Sequence, residues 1–259
     1  MPELLPQKPN TSPEQKAQAR FGLFASNSLF QHLTSIATDL LFPPRCAGCG
    51  QIDTYWCNAC QREIQAMTLS ERLKPRSPLQ DVTASGWHVD KLREAVQALK
   101  YGNVPALAKP LGEKMAACLK QQDWTIDTIV PVPLHTKRLA ERGYNQAQLL
   151  AEQVAAIMDI GCQANALERI RETQSQVTIS GTERLENIKD AFVANSQFVS
   201  GRSILVIDDV YTTGSTMSAC GEALRSAGAT NVYGLTVTAA GHSITHKKEI
   251  TDEYHHSRA

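Results

Sequence analysis

Ser203-Ile204-Leu205-Val206-Ile207-Asp208-Asp209-Val210-Tyr211-Thr212-Thr213-Gly214-Ser215-Thr216 is the stretch that decides how the rest of this 259-residue chain is read. Ile204 to Ile207 has no polar position to offer a solvent face, so the pattern predicts a short strand over Ser203 to Asp208 lying centrally in a sheet. Two adjacent carboxylates at the end of such a strand are costly unless cations, hydrogen-bond donors or hydroxyls meet them. The following residues supply that complement. Thr212, Thr213, Ser215 and Thr216 bring hydroxyls, and Gly214 lets the backbone fold close to a ligand. A helix predicted from Gly214 to Ala227 aims its unpaired N–H groups and positive dipole end outward. A phosphate fits that helix end, and sugar hydroxyls or a hydrated divalent cation fit the acids, so a sugar phosphate bridges both. Helix capping by Thr213 or Ser215, with the acids near the positive end, accounts for one hydroxyl and one acid but not for their density.

Outward from this stretch, strand and helix patterns alternate. Val82 to Val89 reads as a strand, Asp90 to Tyr101 as a helix with Leu92, Val96 and Leu99 on one face, and Pro110 to Gln121 as a second helix. Ile126 to Val132 reads as a short strand, followed by a basic loop and a helix over Asn145 to Met158. Ala191 to Val199 reads as an edge strand or irregular segment, and Asn231 to Ala239 as a further strand after the Gly228 stop. Strands separated by helices of this length predict an α/β fold, a mostly parallel sheet flanked by helices. Residues 1–25 read as a flexible leader. A helix over Leu29 to Phe42, ended by Pro43-Pro44, begins a segment 26–78 that also holds a cysteine cluster, and the α/β domain spans 79–241. The tail 242–259, with its scattered histidines, reads as a disordered terminus.

Composition narrows the class. Hydrophobic residues make up 42% and charged residues 20% of the chain, which suits a globular protein with a real core. Lys plus Arg and Asp plus Glu both number 26, so there is no overall basic footprint of a nucleic-acid coat, although a local basic groove is compatible with that balance. No apolar run is long enough to cross a bilayer, and Met1 to Pro6 lacks the pattern of a secretory signal. The cysteine count of 7 is odd, which points to reduced thiols in the cytoplasm.

Two further constellations carry chemistry. Cys46-x-x-Cys49 and Cys57-x-x-Cys60 can converge on one tetrahedral centre, and four thiolates satisfy a structural zinc with no open position. A redox pair or two disulfides is the competing reading, which a reducing compartment disfavours. Beyond the predicted strand ending at Val132 come Pro133 and Leu134, then Lys137, Arg138 and Arg142. A diphosphate needs backbone donors and cations of this kind. From spacing alone a solvated helix start with Glu141 paired to Arg138 fits equally well.

Ile204 through Thr216 resembles the phosphoribosyl-diphosphate (PRPP) binding motif of type I phosphoribosyltransferases. Pro131 to His135, Arg138 and Arg142-Gly143-Tyr144-Asn145-Gln146-Ala147 are similar to the ComF family of phosphoribosyltransferase-like proteins. Lys100-Tyr101, the run Arg169 to Gln176, and Arg184 with Asn187 agree with that family. The resemblance implies a type I phosphoribosyltransferase-like fold preceded by a small four-cysteine zinc ribbon. It implies that Asp208 and Asp209 hold the ribose of a magnesium-bound PRPP and that Thr212, Thr213, Gly214, Ser215 and Thr216 cradle its 5-phosphate. It assigns the diphosphate to the loop of Pro133, Leu134, Lys137, Arg138 and Arg142, and places a mobile lid at Thr173 to Asn187. It further implies a role in natural competence, handling incoming single-stranded DNA with a helicase-like partner and without membrane insertion; some relatives are linked instead to sugar-acid use. Transfer to an unknown acceptor and PRPP sensing without catalysis both remain open. Near the cysteines, Arg45, Tyr55, Trp56 and Arg62 can stack on single-stranded DNA, or Trp56 can pack beside the metal.

Overall fold

A computed structural model describes residues 43–69, 73–171 and 190–241; the predicted leader, the helix over 29–42, the lid segment and the tail lie outside the described residues. The chain runs through α1 (Asn58–Ala66), β1 (Asp81–Ala84), α2 (Asp90–Tyr101), a 3-10 turn (Pro105–Leu107), α3 (Ala108–Leu119), β2 (Thr128–Pro131) and α4 (Thr136–Arg142). It continues through α5 (Gln146–Met158), β3 (Leu167–Arg169), β4 (Phe192–Ala194), α6 (Ser196–Val199), β5 (Ser203–Tyr211), α7 (Ser215–Ser226) and β6 (Asn231–Ala239). The main sheet has the order β1-β6-β5-β2 and every pairing in it is parallel. β3 and β4 form a separate antiparallel pair.

The apolar run predicted to be central is central. Ile204, Leu205, Val206 and Ile207 are all fully buried, and β5 lies between β6 and β2. Because strand side chains alternate, the run feeds both faces. Leu205 and Ile207 join α2, α3 and α5 through Leu99, Met115 and Leu150, while Ile204 and Val206 join Met217 and Leu224 of α7. Truncating Ile204, Leu205 or Ile207 to alanine is expected to cost about 2–5 kcal/mol.

The structure departs from the predicted elements in four places. β1 stops at Ala84 rather than Val89 because Ser85 turns its hydroxyl onto the Val237 carbonyl at 2.8 Å and Leu92 packs tightly over Gly86; Trp87 then rejoins the ladder as a single bridge to Ala239. β5 extends to Tyr211, so the two acids lie within the strand. The basic loop contains a short helix, α4, which begins after His135 and is ended by Gly143 in the left-handed conformation (φ 80°). Residues Ala191 to Val199 divide into β4 and α6, and the partner strand β3 has only 3 residues, too short to show a period.

The cysteine segment docks on this domain. Ile64 of α1 is fully buried in the same core as Leu92 and Leu99, and the Lys91 ammonium donates to the Gly48 carbonyl.

Candidate functional site

In a parallel sheet the carboxyl ends of all strands lie along one edge, which is where loops can gather around a ligand. Here that edge carries the acids of β5, the turn into α7, the residues after β2 and the segment after β1. Asp209 is 3% exposed and its Oδ1 meets Lys100 Nζ, from the last turn of α2, at 2.7 Å. Its second oxygen is buried and has no hydrogen-bond partner among the described residues. Asp208 retains partial exposure and accepts the Asp209 N–H at 2.8 Å through Oδ1. Burial first, and the Asp209 carboxylate second, push the Asp208 carboxyl up to about 7, with Lys100 opposing them. For Lys100 burial works against the charge, but the attraction of Asp209 and then Asp208 outweighs it, so the ammonium is held more firmly than usual.

The turn is shaped by Gly214, which is the N-cap of α7 at φ 75°. A Cβ there would run into the Tyr211 hydroxyl and ring. Thr213 Oγ1 and Ser215 Oγ are 2.8 Å apart, and the Ser215 N–H reaches Thr213 Oγ1 only at 3.4 Å. The N-cap residue Gly214 has no side chain to cap α7, so beyond the long Ser215–Thr213 contact the next first-turn amides, those of Thr216 and Met217, are left to meet an anion. Thr212 and Thr213 are exposed, Thr216 is half-buried and Ser215 is buried. The turn predicted as a phosphate cradle is therefore assembled as one local unit.

The basic stretch is distributed differently. A cavity of about 850 Å³ is lined by Arg138 and Arg142 together with Lys100, Tyr101 and Asn103. Pro133, Leu134 and Lys137 are not among its lining residues; Pro133 and Leu134 lie half-buried between β2 and α4, and Lys137 is exposed. The motif Arg142-Gly143-Tyr144-Asn145 has a structural logic of its own. Arg142 stacks over the Tyr101 ring at 5.3 Å and donates to Gln146, while Gly143 closes α4. Tyr144 donates its hydroxyl to the Leu99 carbonyl at 2.5 Å, and Asn145 caps α5 through the Ala147 N–H at 3.0 Å. These contacts bind the α4–α5 corner to the end of α2, so Lys100 lines the cavity while its ammonium neutralises Asp209.

Three residues of this edge were not among the predicted site residues. Lys100 was noted only as part of a motif, and its pairing with Asp209 spans 109 positions. His88 Nδ1 is 2.9 Å from Thr238 Oγ1, whose hydroxyl donates to the Asp209 carbonyl at 3.4 Å. Burial, then Lys100 and Arg93, lower the pKa of His88, with Asp209 opposing. Arg76 Nη1 donates to Ser215 Oγ at 3.2 Å. No local pattern marks any of the three as site residues: Lys100 and His88 reach the site through the sheet order, and Arg76 through the segment before β1 that lies across α7.

The four cysteines converge as predicted. Their sulfurs lie within 4.8 Å of one another, with Cys46 to Cys60 at 3.8 Å and Cys49 to Cys57 at 3.6 Å. Four sulfurs around zinc at the usual bond length sit about 3.8 Å apart, so the spacing fits a closed thiolate site. Burial tends to raise the Cys46 thiol, but the N–H groups of Cys57, Gly48 and Cys49 prevail and lower it to about 6. Trp56 is half-buried and packs on both this cluster and the main core, close against Gly48, whereas Tyr55 is 47% exposed.

Comparison of the sequence with known proteins identifies its family. Residues 98–255 match the phosphoribosyl transferase domain. Competence protein F of Haemophilus influenzae is 31% identical over 195 residues, which is 71% of this chain and 85% of that protein. DNA utilization protein YhgH of Escherichia coli K12 is 37% identical over 106 residues, covering 41% of this chain and 46% of that one. A glutamine PRPP amidotransferase structure from B. subtilis aligns with 62% of this chain and 37% of its own at a TM-score of 0.39 and 17% identity. The chain belongs to the ComF family of phosphoribosyltransferase-like proteins. No helix of the described residues is long and apolar enough to cross a membrane.

Proposed function

We propose that the chain binds PRPP with magnesium at the carboxyl end of β5 and acts in the cytoplasm in natural competence. Asp208 and Asp209 take the ribose hydroxyls, and Thr212 to Thr216 take the 5-phosphate. Arg138 and Arg142, with Lys137 and the Leu134 N–H in the turn that Pro133 shapes, take the diphosphate. Magnesium supplies charge neutralisation to the diphosphate when bound. The observation that carries this reading is the union of a buried acid whose second oxygen has no partner among the described residues with an uncapped, hydroxyl-lined helix start six residues on. The competence role is supported by the names of the relatives, and it predicts handling of single-stranded DNA with a helicase-like partner. Tyr55, exposed beside the cysteines, offers a stacking face that Trp56 gives up to packing.

Calorimetry with PRPP and Mg²⁺ tests the reading. Wild-type protein is expected to bind and Asp208→Asn with Asp209→Asn to lose binding while keeping its fold; equal affinity in the double variant ends the ribose assignment. The cysteines are proposed as a structural zinc site in the segment 26–78, ahead of the transferase-like domain 79–241. Elemental analysis is expected to return close to one zinc per chain, and metal-free purified protein ends that assignment. Single-stranded DNA titrated at two salt concentrations tests the adaptor role, which fails if nothing binds at low salt.

A second reading, phosphoribosyl transfer to an acceptor, is favoured by His88. With the Thr238 proton directed to the Asp209 carbonyl, His88 Nδ1 donates and Nε2 is left to accept a proton from a nucleophile. Release of diphosphate from labelled PRPP with a panel of acceptors would establish turnover, and its absence across that panel favours the sensor.

A further inference from the structure

The segment joining the cysteine module to β1 lies across the start of α7. Tyr211 donates its hydroxyl to the Lys74 carbonyl at 2.9 Å, and Ser218 donates to the Ser77 carbonyl. Pro78 and Leu79 pack against Gly221, where an added Cβ would meet their side chains at 3.2 and 3.3 Å. Between these anchors Arg76 reaches Ser215, the buried hydroxyl of the turn. No carboxylate pairs with Arg76 among the described residues. A cation held at the positive end of a helix is placed against the local field, since cations are favoured at the opposite end. Hydrogen bonding to a neutral serine does not offset that. A phosphate dianion between the guanidinium and the open amides of α7 reverses the sign of the interaction and uses further donors of the fork. The same open end of β5 carries the buried Asp209 oxygen that has no partner among the described residues, on the side of Lys100 rather than of Arg76.

We propose that Arg76 is a ligand of the 5-phosphate, supplied by the connecting segment rather than by the turn. This rests on the PRPP reading above and deepens it. The phosphate site is then incomplete without the segment, and ligand occupancy tightens the docking of residues 74–79. Sequence patterns place Arg76 in a polar connector, so only the contact with Ser215, 139 positions away, reveals it.

The test compares PRPP, ribose 5-phosphate and diphosphate alone on the full chain by calorimetry with Mg²⁺ present, for wild type, Arg76→Gln and Arg76→Lys. Arg76→Gln keeps most of the stem packing and removes the charge. It is expected to weaken PRPP and ribose 5-phosphate about 30-fold, in line with a lost charge-assisted pair, and to leave diphosphate unchanged. Arg76→Lys should recover part of the loss for both phosphorylated sugars. Wild-type protein that binds neither sugar phosphate overturns the PRPP reading and this one together. Wild-type binding with equal affinity in Arg76→Gln overturns the Arg76 assignment alone. An equal loss for diphosphate also overturns it, because the effect is then general to the fold.

Discussion

The turn after β5 and the segment after β2 sit at the carboxyl ends of neighbouring parallel strands, yet they are built on different principles. The first is defined by backbone: a left-handed glycine, an uncapped helix start and hydroxyls within five consecutive residues. The second is defined by side chains gathered from afar, with Arg138 and Arg142 meeting Lys100 across a cavity and the corner held by Tyr144 and Asn145. A backbone-defined site is intolerant of a single methyl group. A side-chain-defined site loses affinity by degrees.

Each region contains one glycine at positive φ, and the pair offers the sharpest contrast. Gly214 (φ 75°) has the Tyr211 ring where a Cβ would go, whereas Gly143 (φ 80°) has open space around that position. Gly214→Ala combines left-handed strain of about 1–2 kcal/mol with a collision that must move the turn, so PRPP affinity is expected to fall about 100-fold or more. Gly143→Ala bears the strain alone, about 1 kcal/mol of stability, with only a few-fold change in affinity. Calorimetry paired with urea unfolding separates the two, and equal binding losses would erase the distinction.

The next contrast concerns charge. Arg138→Ala removes one cation of the cavity and is expected to weaken PRPP and diphosphate about 30-fold while leaving ribose 5-phosphate unaffected. The ligand selectivity is the reverse of that expected for the hydroxyl turn. A loss shared by ribose 5-phosphate would show that the two regions do not divide the ligand as proposed. The effect should shrink with added salt, since the cavity is open to solvent.

What was legible in the sequence follows the same division. The β5 run, its acids and its turn are contiguous, so burial, alternation and helix polarity could be argued residue by residue, and the four cysteines are similarly compact. Lys100 and His88 were not legible as site residues, because their partners Asp209 and Thr238 lie on β5 and β6 and the order β1-β6-β5-β2 has no local signature. β3 failed for another reason: with 3 residues, only Leu167 is buried, and one apolar position has no period. The extension of β5 to Tyr211 was missed because two carboxylates read as the end of a strand, whereas Lys100 makes Asp209 tolerable inside one.

The smallest expected effect lies between the two regions, at Asp208. Its carboxyl sits at about 7 in the free protein, against an ordinary value of 3.8, so the folded chain holds a proton that the unfolded chain has already released. Stability from this group is present below about pH 4 and is lost as pH rises through about 7. A ribose hydroxyl donates to the ionised carboxylate, so binding favours proton release. PRPP affinity is therefore expected to rise about tenfold between pH 6 and 8, with up to one proton released per ligand bound. Calorimetry in two buffers of different ionisation heat counts that proton. Asp208→Asn separates it from the ligand's own titration, because the variant should keep only the ligand's share of the slope and should also flatten the fall in stability between pH 4 and 7. An unchanged slope in the variant would mean that Asp208 is already ionised before the ligand arrives, and that the Lys100 ammonium screens both acids rather than Asp209 alone.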